Sequence, residues 1–205
     1  MTDSNSLLYI IPVVGYLLGT IPAGLLVGFS RGIDVRTAGS GNIGATNVAR
    51  VVGRKWGIIT LIADMLKGFL PVISARLLLA GSTDAALIVA ITGFAAVCGH
   101  CFSIFLKFRG GKGVATAVGV FLAVCPWSVL AGFVVFFLAI RKWKIVSVAS
   151  LLSALVIPPV IHIICPGAET EIMAWGISAV IWLKHRDNIK RLMQGTEASF
   201  REKGQ

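Results

Sequence analysis

The segment that decides the fold runs from Val114 to Ile140 and reads VATAVGVFLAVCPWSVLAGFVVFFLAI. It holds no charged residue, and Pro126 lies near its centre. One helix of this length would cross a bilayer, which needs about 20 apolar residues. Two shorter helices are the alternative, because proline lacks an N–H donor and its ring clashes with the preceding helical turn. The choice determines which loops share a side of the membrane.

The composition of the whole chain is that of a membrane protein. Of its 205 residues, 56% are hydrophobic and only 14% are charged, and the mean hydropathy is +0.87. A soluble domain carries roughly a quarter charged residues, and a disordered chain is poor in Leu, Ile, Val and Phe. Four cysteines in 205 residues, without a paired disulfide framework, exclude a secreted disulfide scaffold. We therefore expect one all-α membrane domain over residues 1–205.

Five other apolar stretches are candidates for membrane spans. They cover Leu7–Phe29, Gly57–Ala80, Ala85–Leu106, Ile145–Cys165 and Ile172–Leu183. Only the second of them carries formally charged side chains, which belong to Asp64, Lys67 and Arg76.

The distribution of basic residues favours two helices in Val114–Ile140. With a break at Pro126 the chain crosses the membrane seven times, and the loops 30–56, 107–113 and 141–144 share one side with the C-terminal tail. These segments hold 17 of the 19 Lys and Arg residues, and the other side holds Asp3, Asp84, Glu169 and Glu171. A single helix would put the 141–144 turn and the tail on opposite sides. Because Lys and Arg concentrate in cytoplasmic loops, we predict seven transmembrane helices, with the N-terminus outside and the C-terminus inside.

The first basic loop contains a glycine-rich segment, Gly39–Arg50, that reads GSGNIGATNVAR. Such a segment can bend so that several backbone N–H groups converge on an anion, and the planar guanidinium of Arg50 suits phosphate. A flexible loop with a cytoplasmic arginine is the simpler interpretation. The candidate phosphate-binding residues of this segment are Gly39, Ser40, Gly41, Asn42, Thr46, Asn47 and Arg50.

Two further segments on the same side suit phosphate. Gly110-Gly111-Lys112-Gly113 precedes an apolar helix and offers backbone amides together with a lysine. The spacing of a nucleotide-binding P-loop is absent. In the basic tail, His185 and Asn188 are three residues apart and would share a helix face. The simpler interpretations are a basic hinge and an amphipathic end that lies on anionic lipid.

Ionisable residues inside the predicted spans are the other candidates. Asp64 and Lys67 are three residues apart, so they can form an ion pair, and we expect that pair to brace the site. Cys98 and Cys101 form a C-x-x-C, but no second ligand pair lies near them, so we predict no metal site.

Together these segments resemble the three signature motifs of bacterial acyl-phosphate:glycerol-3-phosphate acyltransferases, the PlsY family. The matching segments are Gly39–Arg50, Gly99–Thr116 and His185–Glu197. The resemblance covers essentially the whole chain, and one departure is Arg109, where the family often has lysine before the glycine pair. It implies transfer of a fatty acyl group from acyl phosphate to the 1-position hydroxyl of glycerol 3-phosphate. It also implies a multi-pass enzyme of the bacterial plasma membrane with its site at the cytosolic face.

On this interpretation each candidate residue has an expected role. Phosphate groups would be held by Gly110, Gly111 and Gly113 and by the first loop, and the donor would be attacked directly. The expected catalytic residues are Ser40, Arg50, Lys112, His185 and Asn188, and the expected supporting residues are Asp64, Lys67, His100 and Glu197. Ser40 as a covalent nucleophile is the rival mechanism. We expect a monomer in membrane lipid, with no cofactor, metal or nucleic acid.

Two functions of other classes compete with the acyltransferase. A small transporter of phosphorylated metabolites would place its site near the midplane and often shows inverted repeats. A lipid-binding protein without chemistry would recognise anionic lipid through its basic side. The polar motifs lie at one interface and no repeat is visible, so both rank behind the enzyme.

Overall fold

The computed structural model describes residues 4–199, and within that range all regular secondary structure is helical. A short 3₁₀ turn occupies Ile104–Leu106. The ten α-helices of this range are α1 (Ser4–Gly19), α2 (Ala23–Phe29), α3 (Ala45–Val51), α4 (Arg54–Leu78), α5 (Ala85–Cys101), α6 (Val114–Val124), α7 (Pro126–Trp143), α8 (Val146–Ile164), α9 (Ala168–Lys184) and α10 (Arg186–Met193). Asp3, Arg201 and Lys203, which entered the predicted charge distribution, lie outside the described residues.

The segment Val114–Ile140 forms two helices, as predicted. α6 ends at Val124, Cys125 is the only residue between the helices, and Pro126 begins α7. Proline suits this position because the first helical residue has no intrahelical partner for its N–H, so the missing donor costs nothing. The break therefore follows directly from the sequence.

The predicted span Leu7–Phe29 is present as a candidate membrane span, Leu8–Phe29, and it consists of two helices. α1 and α2 are separated by Thr20–Pro22. Pro22 cannot donate to the helical ladder and disfavours helical backbone at the residue before it. The carbonyl oxygen of Ile21 instead accepts a hydrogen bond from Lys67 Nζ at 2.8 Å. A charge of α4 thus stabilises the break.

Five helical segments in the described part of the chain are long and apolar enough to cross a membrane. They are α1 with α2, α4, α5 with the 3₁₀ turn, α7 and α8. α6 has only 11 residues, and α9 carries Glu169 and Glu171 in its first turn. The all-helical fold with membrane-spanning helices agrees with the prediction, whereas seven crossings and their orientation stay predictions.

Glycines allow the helices of the bundle to approach closely. A Cβ on Gly19 of α1 would overlap the backbone of α5, and one on Gly99 of α5 would overlap the backbone of α1. The same holds between Gly68 of α4 and Gly119 of α6. Small residues at such contacts are typical of membrane helices, whose association depends on close packing. These contacts hold α1 against α5 and α4 against α6.

The bundle has two chemically different ends. At the first, which we call the disulfide end, Cys125 is bonded to Cys165 and Arg76 donates to the last turn of α6. At the second, the basic end, the loops 30–53 and 102–113 meet residues 185–199. All sequence-predicted phosphate-binding residues belong to the basic end.

Candidate functional site

The first loop is organised by the side chain of Asn47, which is 2% exposed. Its Nδ2 donates to the carbonyls of Val35 at 2.9 Å and Ala38 at 3.1 Å. Its Oδ1 accepts from the backbone N–H of Ser40 at 2.8 Å. Every polar atom of this side chain is therefore engaged within the loop. These contacts place Ser40, and phosphate binding by Asn47 stays a prediction.

Other polar groups of this loop are also engaged. The N–H of Gly41 donates to the carbonyl of Ala38 at 3.1 Å, and Asn42 Oδ1 accepts from the N–H of Gly44 at 2.8 Å. Together with the N–H of Ser40, these bonds hold the turn that leads into α3. The N–H groups of Ser40 and Gly41 are thus hydrogen-bonded within the loop, and binding of an anion by this loop stays a prediction.

The side chains of the loop leave a different set of groups for a ligand. Ser40 and Thr46 are exposed, and Arg50 is half-buried in the last turn of α3. Gly39 has a φ of +60°, and a Cβ there would overlap Asn47 Oδ1. Glycine is needed at this position because other residues rarely adopt that φ and because the loop closes on Asn47.

The second loop uses its glycines for packing. The N–H of Gly110 donates to the carbonyl of Cys101 at 3.2 Å, and the N–H of Gly111 donates to the carbonyl of His100 at 3.0 Å. These bonds satisfy carbonyls at the C-terminal end of α5, where helices leave them unpaired. The N–H groups of Gly110 and Gly111 are thus engaged in packing, and phosphate binding by these two residues stays a prediction. Gly113, with a φ of +86°, precedes the first residue of α6.

Lys112 lies between these glycines and has the most perturbed environment among the candidate cations. Burial lowers the pKa of Lys112 to about 8, and the charges of Arg191 and Arg50 act in the same direction. The carboxylate of Glu197 opposes them. Arg191 and Arg50 therefore lie close enough to Lys112 to lower its pKa. This concentration of positive charge favours binding of an anion.

His185 is the next member of this cluster and is 2% exposed. Its Nδ1 lies 2.8 Å from the carbonyl of Ile181, which can only accept, so we assign the proton to Nδ1. Burial lowers the pKa of His185 to about 4, and the charge of Lys112 adds to the effect. The ring is therefore neutral near pH 7, and its Nε2 is an acceptor.

Glu197 ties the tail to the bundle. Its Oε1 accepts from Ser147 Oγ at 2.7 Å and from Asn188 Nδ2 at 2.5 Å, and its Oε2 accepts from Arg191 Nε at 2.6 Å. Burial raises the pKa of Glu197, but these three hydrogen bonds outweigh it and hold the pKa below its usual value. The carboxylate thus connects α8, α10 and the tail beside Lys112.

The predicted pairing of Asp64 with Lys67 is present, and it includes His100. Lys67 Nζ lies 2.9 Å from Asp64 Oδ1, with both side chains almost fully buried. His100 Nδ1 lies 3.6 Å from the same oxygen. Of the three side chains, His100 lies against the second loop, next to Gly111.

Sequence reasoning missed two contacts of the bundle. The Cys125–Cys165 disulfide joins residues 40 apart, and the signal for it was their position at the ends of two predicted neighbouring spans. Lys184 Nζ donates to the carbonyl of Cys101 at 2.9 Å and fixes the end of α9 to that of α5. In the described residues no group of three or more His, Cys, Asp or Glu side chains could hold a metal.

Comparison with known proteins gives a consistent result. Residues 9–195 match the family model described as glycerol-3-phosphate acyltransferase. The glycerol-3-phosphate acyltransferase of Geotalea daltonii is 49% identical over 193 residues, which are 94% of this chain and 97% of that protein. The corresponding protein of Trichlorobacter lovleyi is 51% identical over 186 residues, 91% and 94% of the two chains.

Two solved structures have the same fold. Both are crystal structures of PlsY (YgiH), an integral membrane glycerol 3-phosphate acyltransferase. The glycerol 3-phosphate form has a TM-score of 0.88 at 37% identity, and the lysophosphatidic acid form has a TM-score of 0.87 at 36% identity. Each comparison covers 94% of both chains.

Proposed function

This chain belongs to the glycerol-3-phosphate acyltransferase family, and we propose that it transfers a fatty acyl group from acyl phosphate to the sn-1 hydroxyl of glycerol 3-phosphate. The products are lysophosphatidic acid and inorganic phosphate. The observation that carries the proposal is the cluster of Lys112, Arg50 and Arg191 at the basic end. Both substrates bear phosphate, so the site needs several cations. The relatives' crystal structures with glycerol 3-phosphate and lysophosphatidic acid support this substrate and this product class.

In the proposed reaction the glycerol oxygen attacks the acyl carbonyl carbon directly. A new C–O bond forms, the C–O bond to phosphate breaks, and the phosphate leaves with the electron pair. The hydroxyl proton passes to a phosphate oxygen of a substrate. Lys112 and Arg50 hold the phosphate groups and stabilise the charge that develops on the leaving group. Holding the two bound anions side by side in the correct orientation supplies the rest of the rate enhancement.

His185 and Asn188 are proposed to hold the acceptor. The Nε2 atom of neutral His185 accepts a hydrogen bond from a glycerol hydroxyl, and Asn188 is fixed by its bond to Glu197. The rival mechanism, with Ser40 as nucleophile, needs a base on its hydroxyl. Among the described residues no hydrogen bond joins Ser40 Oγ to such a base. We therefore assign Ser40 to phosphate binding.

The proposed topology has seven crossings, with the basic end in the cytosol of a bacterial cell and the N-terminus outside. The charge of the basic loops supports it. The disulfide gives independent support, because disulfides persist in oxidising compartments such as the periplasm. Cys125 and Cys165 lie at the opposite end from Lys112. The protein is proposed to act as a monomer in the inner membrane without a cofactor.

Phosphate release tests the proposed function. The purified protein in lipid is given palmitoyl phosphate with and without glycerol 3-phosphate, beside a Lys112→Ala variant. We expect release that requires glycerol 3-phosphate, yields lysophosphatidic acid and is lost in the variant. Absence of acceptor-dependent release from folded protein would refute the acyl-phosphate donor. Acyl-CoA and a vesicle uptake assay would then identify another donor or a transporter.

Labelling of single cysteines tests the topology. Thr37 and Ser82 are both exposed. Thr37 lies between α2 and α3 at the basic end, and Ser82 lies between α4 and α5 at the disulfide end. In intact cells a membrane-impermeant thiol reagent should label Ser82→Cys and spare Thr37→Cys. Lysed cells are the control, since both variants should then react. Labelling of Thr37→Cys in intact cells would reverse the orientation.

A further inference from the structure

A buried polar group lies behind the second loop and has no part in the reaction as proposed. It consists of Asp64, Lys67 and His100, whose side chains are at most 6% exposed. Lys67 Nζ lies 2.9 Å from Asp64 Oδ1 and donates to the carbonyl of Ile21. Charged groups in the interior of a membrane protein are costly and usually carry a function. Their position indicates what that function is.

The imidazole of His100 faces two groups on opposite sides. Its Nδ1 lies 3.6 Å from Asp64 Oδ1 and makes no hydrogen bond with any described residue, so the Asp64–Lys67 pair faces this edge of the ring. On the other side, the ring lies against Gly111: a Cβ there would overlap Nε2 and would come within 2.8 Å of Cε1. The backbone of His100 also takes part, since its carbonyl accepts the N–H of Gly111.

The neighbouring glycine contacts main chain instead of the ring. A Cβ on Gly110 would overlap the carbonyl oxygen of His100 and would lie 3.0 Å from the carbonyl of Cys101. The two glycines therefore need their small size for different reasons. Gly111 makes room for an imidazole, and Gly110 makes room for a backbone carbonyl.

Lys112 follows Gly111 directly, and Gly113 starts α6 with a left-handed φ of +86°. The backbone of Lys112 is thus fixed on both sides, by the ring of His100 and by the start of a helix. We propose that His100, beside the Asp64–Lys67 pair, is a positioning residue: its ring places the backbone of Lys112 so that the lysine amine lies in the phosphate site. The imidazole supports the loop and does not touch substrate.

This proposal gives the Gly-Gly pair a role other than phosphate binding. The N–H groups of Gly110 and Gly111 already donate to the end of α5. The pair is required because any larger residue would push Lys112 away from the site. A displacement of about 1 Å near the chemistry can cost about 100-fold in rate.

A compensating double substitution tests the proposal, which rests on the proposed function for the role of Lys112. Gly111→Ala should lower kcat/KM about 100-fold, because its methyl group displaces the loop. His100→Ala removes the ring that the methyl group meets. The double variant should therefore regain about tenfold over Gly111→Ala alone, mostly in kcat, because leaving-group stabilisation is restored.

Gly110→Ala is the matched control. Its methyl group meets the carbonyl of residue 100, which every substitution retains, so His100→Ala should not restore its activity. Each variant is first checked for cooperative thermal unfolding in lipid. If His100→Ala does not fold, His100→Asn takes its place, because asparagine keeps a donor toward Asp64 and lacks Nε2 and Cε1.

The outcomes separate this proposal from the proposed function. Inactive wild-type protein would refute the function and leave no reaction to position. Two outcomes with an active wild type would overturn the assignment of His100. In the first, the double variant is no more active than Gly111→Ala alone. In the second, His100→Ala restores activity equally to Gly110→Ala. Recovery confined to Gly111→Ala supports it, because independent structural damage would only accumulate in the double variant.

Discussion

The pKa of Lys112 predicts how the activity depends on pH. Burial lowers that pKa to about 8 in the protein without substrate, and only the protonated amine binds phosphate as a cation. The amine loses its proton as the pH rises, so kcat/KM should fall on the alkaline side. The phosphate of glycerol 3-phosphate is not the cause, because its second ionisation is near pH 6, as in other phosphate monoesters.

The size of the effect follows from the titration of one group. With a pKa of about 8, about nine-tenths of Lys112 is charged at pH 7 and about a tenth at pH 9. The value of kcat/KM should therefore fall about tenfold between these pH values. The fall in kcat should begin at higher pH, because two bound anions favour the charged amine. Lys112→Arg removes the titration, since arginine stays charged.

Initial rates of lysophosphatidic acid formation measure this profile between pH 6 and pH 9.5. Phosphate released without protein is subtracted at each pH, because acyl phosphates hydrolyse on their own. Lys112→Arg should lack the alkaline fall even if its overall rate is lower. A wild-type profile that stays flat to pH 9.5, or the same fall in Lys112→Arg, would refute the role of Lys112.

Three further predictions concern the rest of the site and the bundle. Arg50→Ala should lower kcat/KM about 100-fold in initial-rate assays, the usual cost of one lost charge-stabilising donor; unchanged kinetics would remove Arg50 from the site. Glu197→Gln should move the alkaline fall to lower pH in the same profile, because the carboxylate raises the pKa of Lys112; an upward shift would contradict this. The Cys125→Ser/Cys165→Ser variant should unfold at lower temperature than the wild type, because a disulfide that joins residues 40 apart adds about 4 kcal/mol to the free energy of unfolding in the chain-entropy description. Its KM at the assay temperature should not change.

The sequence predicts those structural features whose cause lies in residues close together along the chain. Pro126 ends one helix and begins the next through its own missing donor, so the division of Val114–Ile140 was predictable. Asp64 and Lys67 are one turn apart on a helix, so their pairing was also predictable. The same local reasoning predicts a break before Pro22 in the first span, where α1 and α2 are separated.

The sequence does not predict which hydrogen-bond or disulfide partner a group has when that partner is distant along the chain. A glycine-rich loop indicates amides that can converge, but it does not show which carbonyls lie nearby. The amides of Gly110 and Gly111 meet the end of α5, and the side chain of Asn47 meets the carbonyl of Val35, 12 residues away. The Cys125–Cys165 bond needs the C-terminal ends of α6 and α8 to lie together before the two sulfurs can meet.

The short α6 explains why Lys112, in a loop at the basic end, is half-buried. Its 11 residues rise about 16 Å, while the 19 residues of α8 rise about 28 Å. The disulfide holds the far ends of both helices together, so the near end of α6 lies deeper in the bundle than the near end of α8. Lys112 precedes that recessed end. A recessed cation suits the proposed reaction, because the phosphate of a membrane-held acyl donor and a soluble acceptor can meet there while the acyl chain stays among apolar helices.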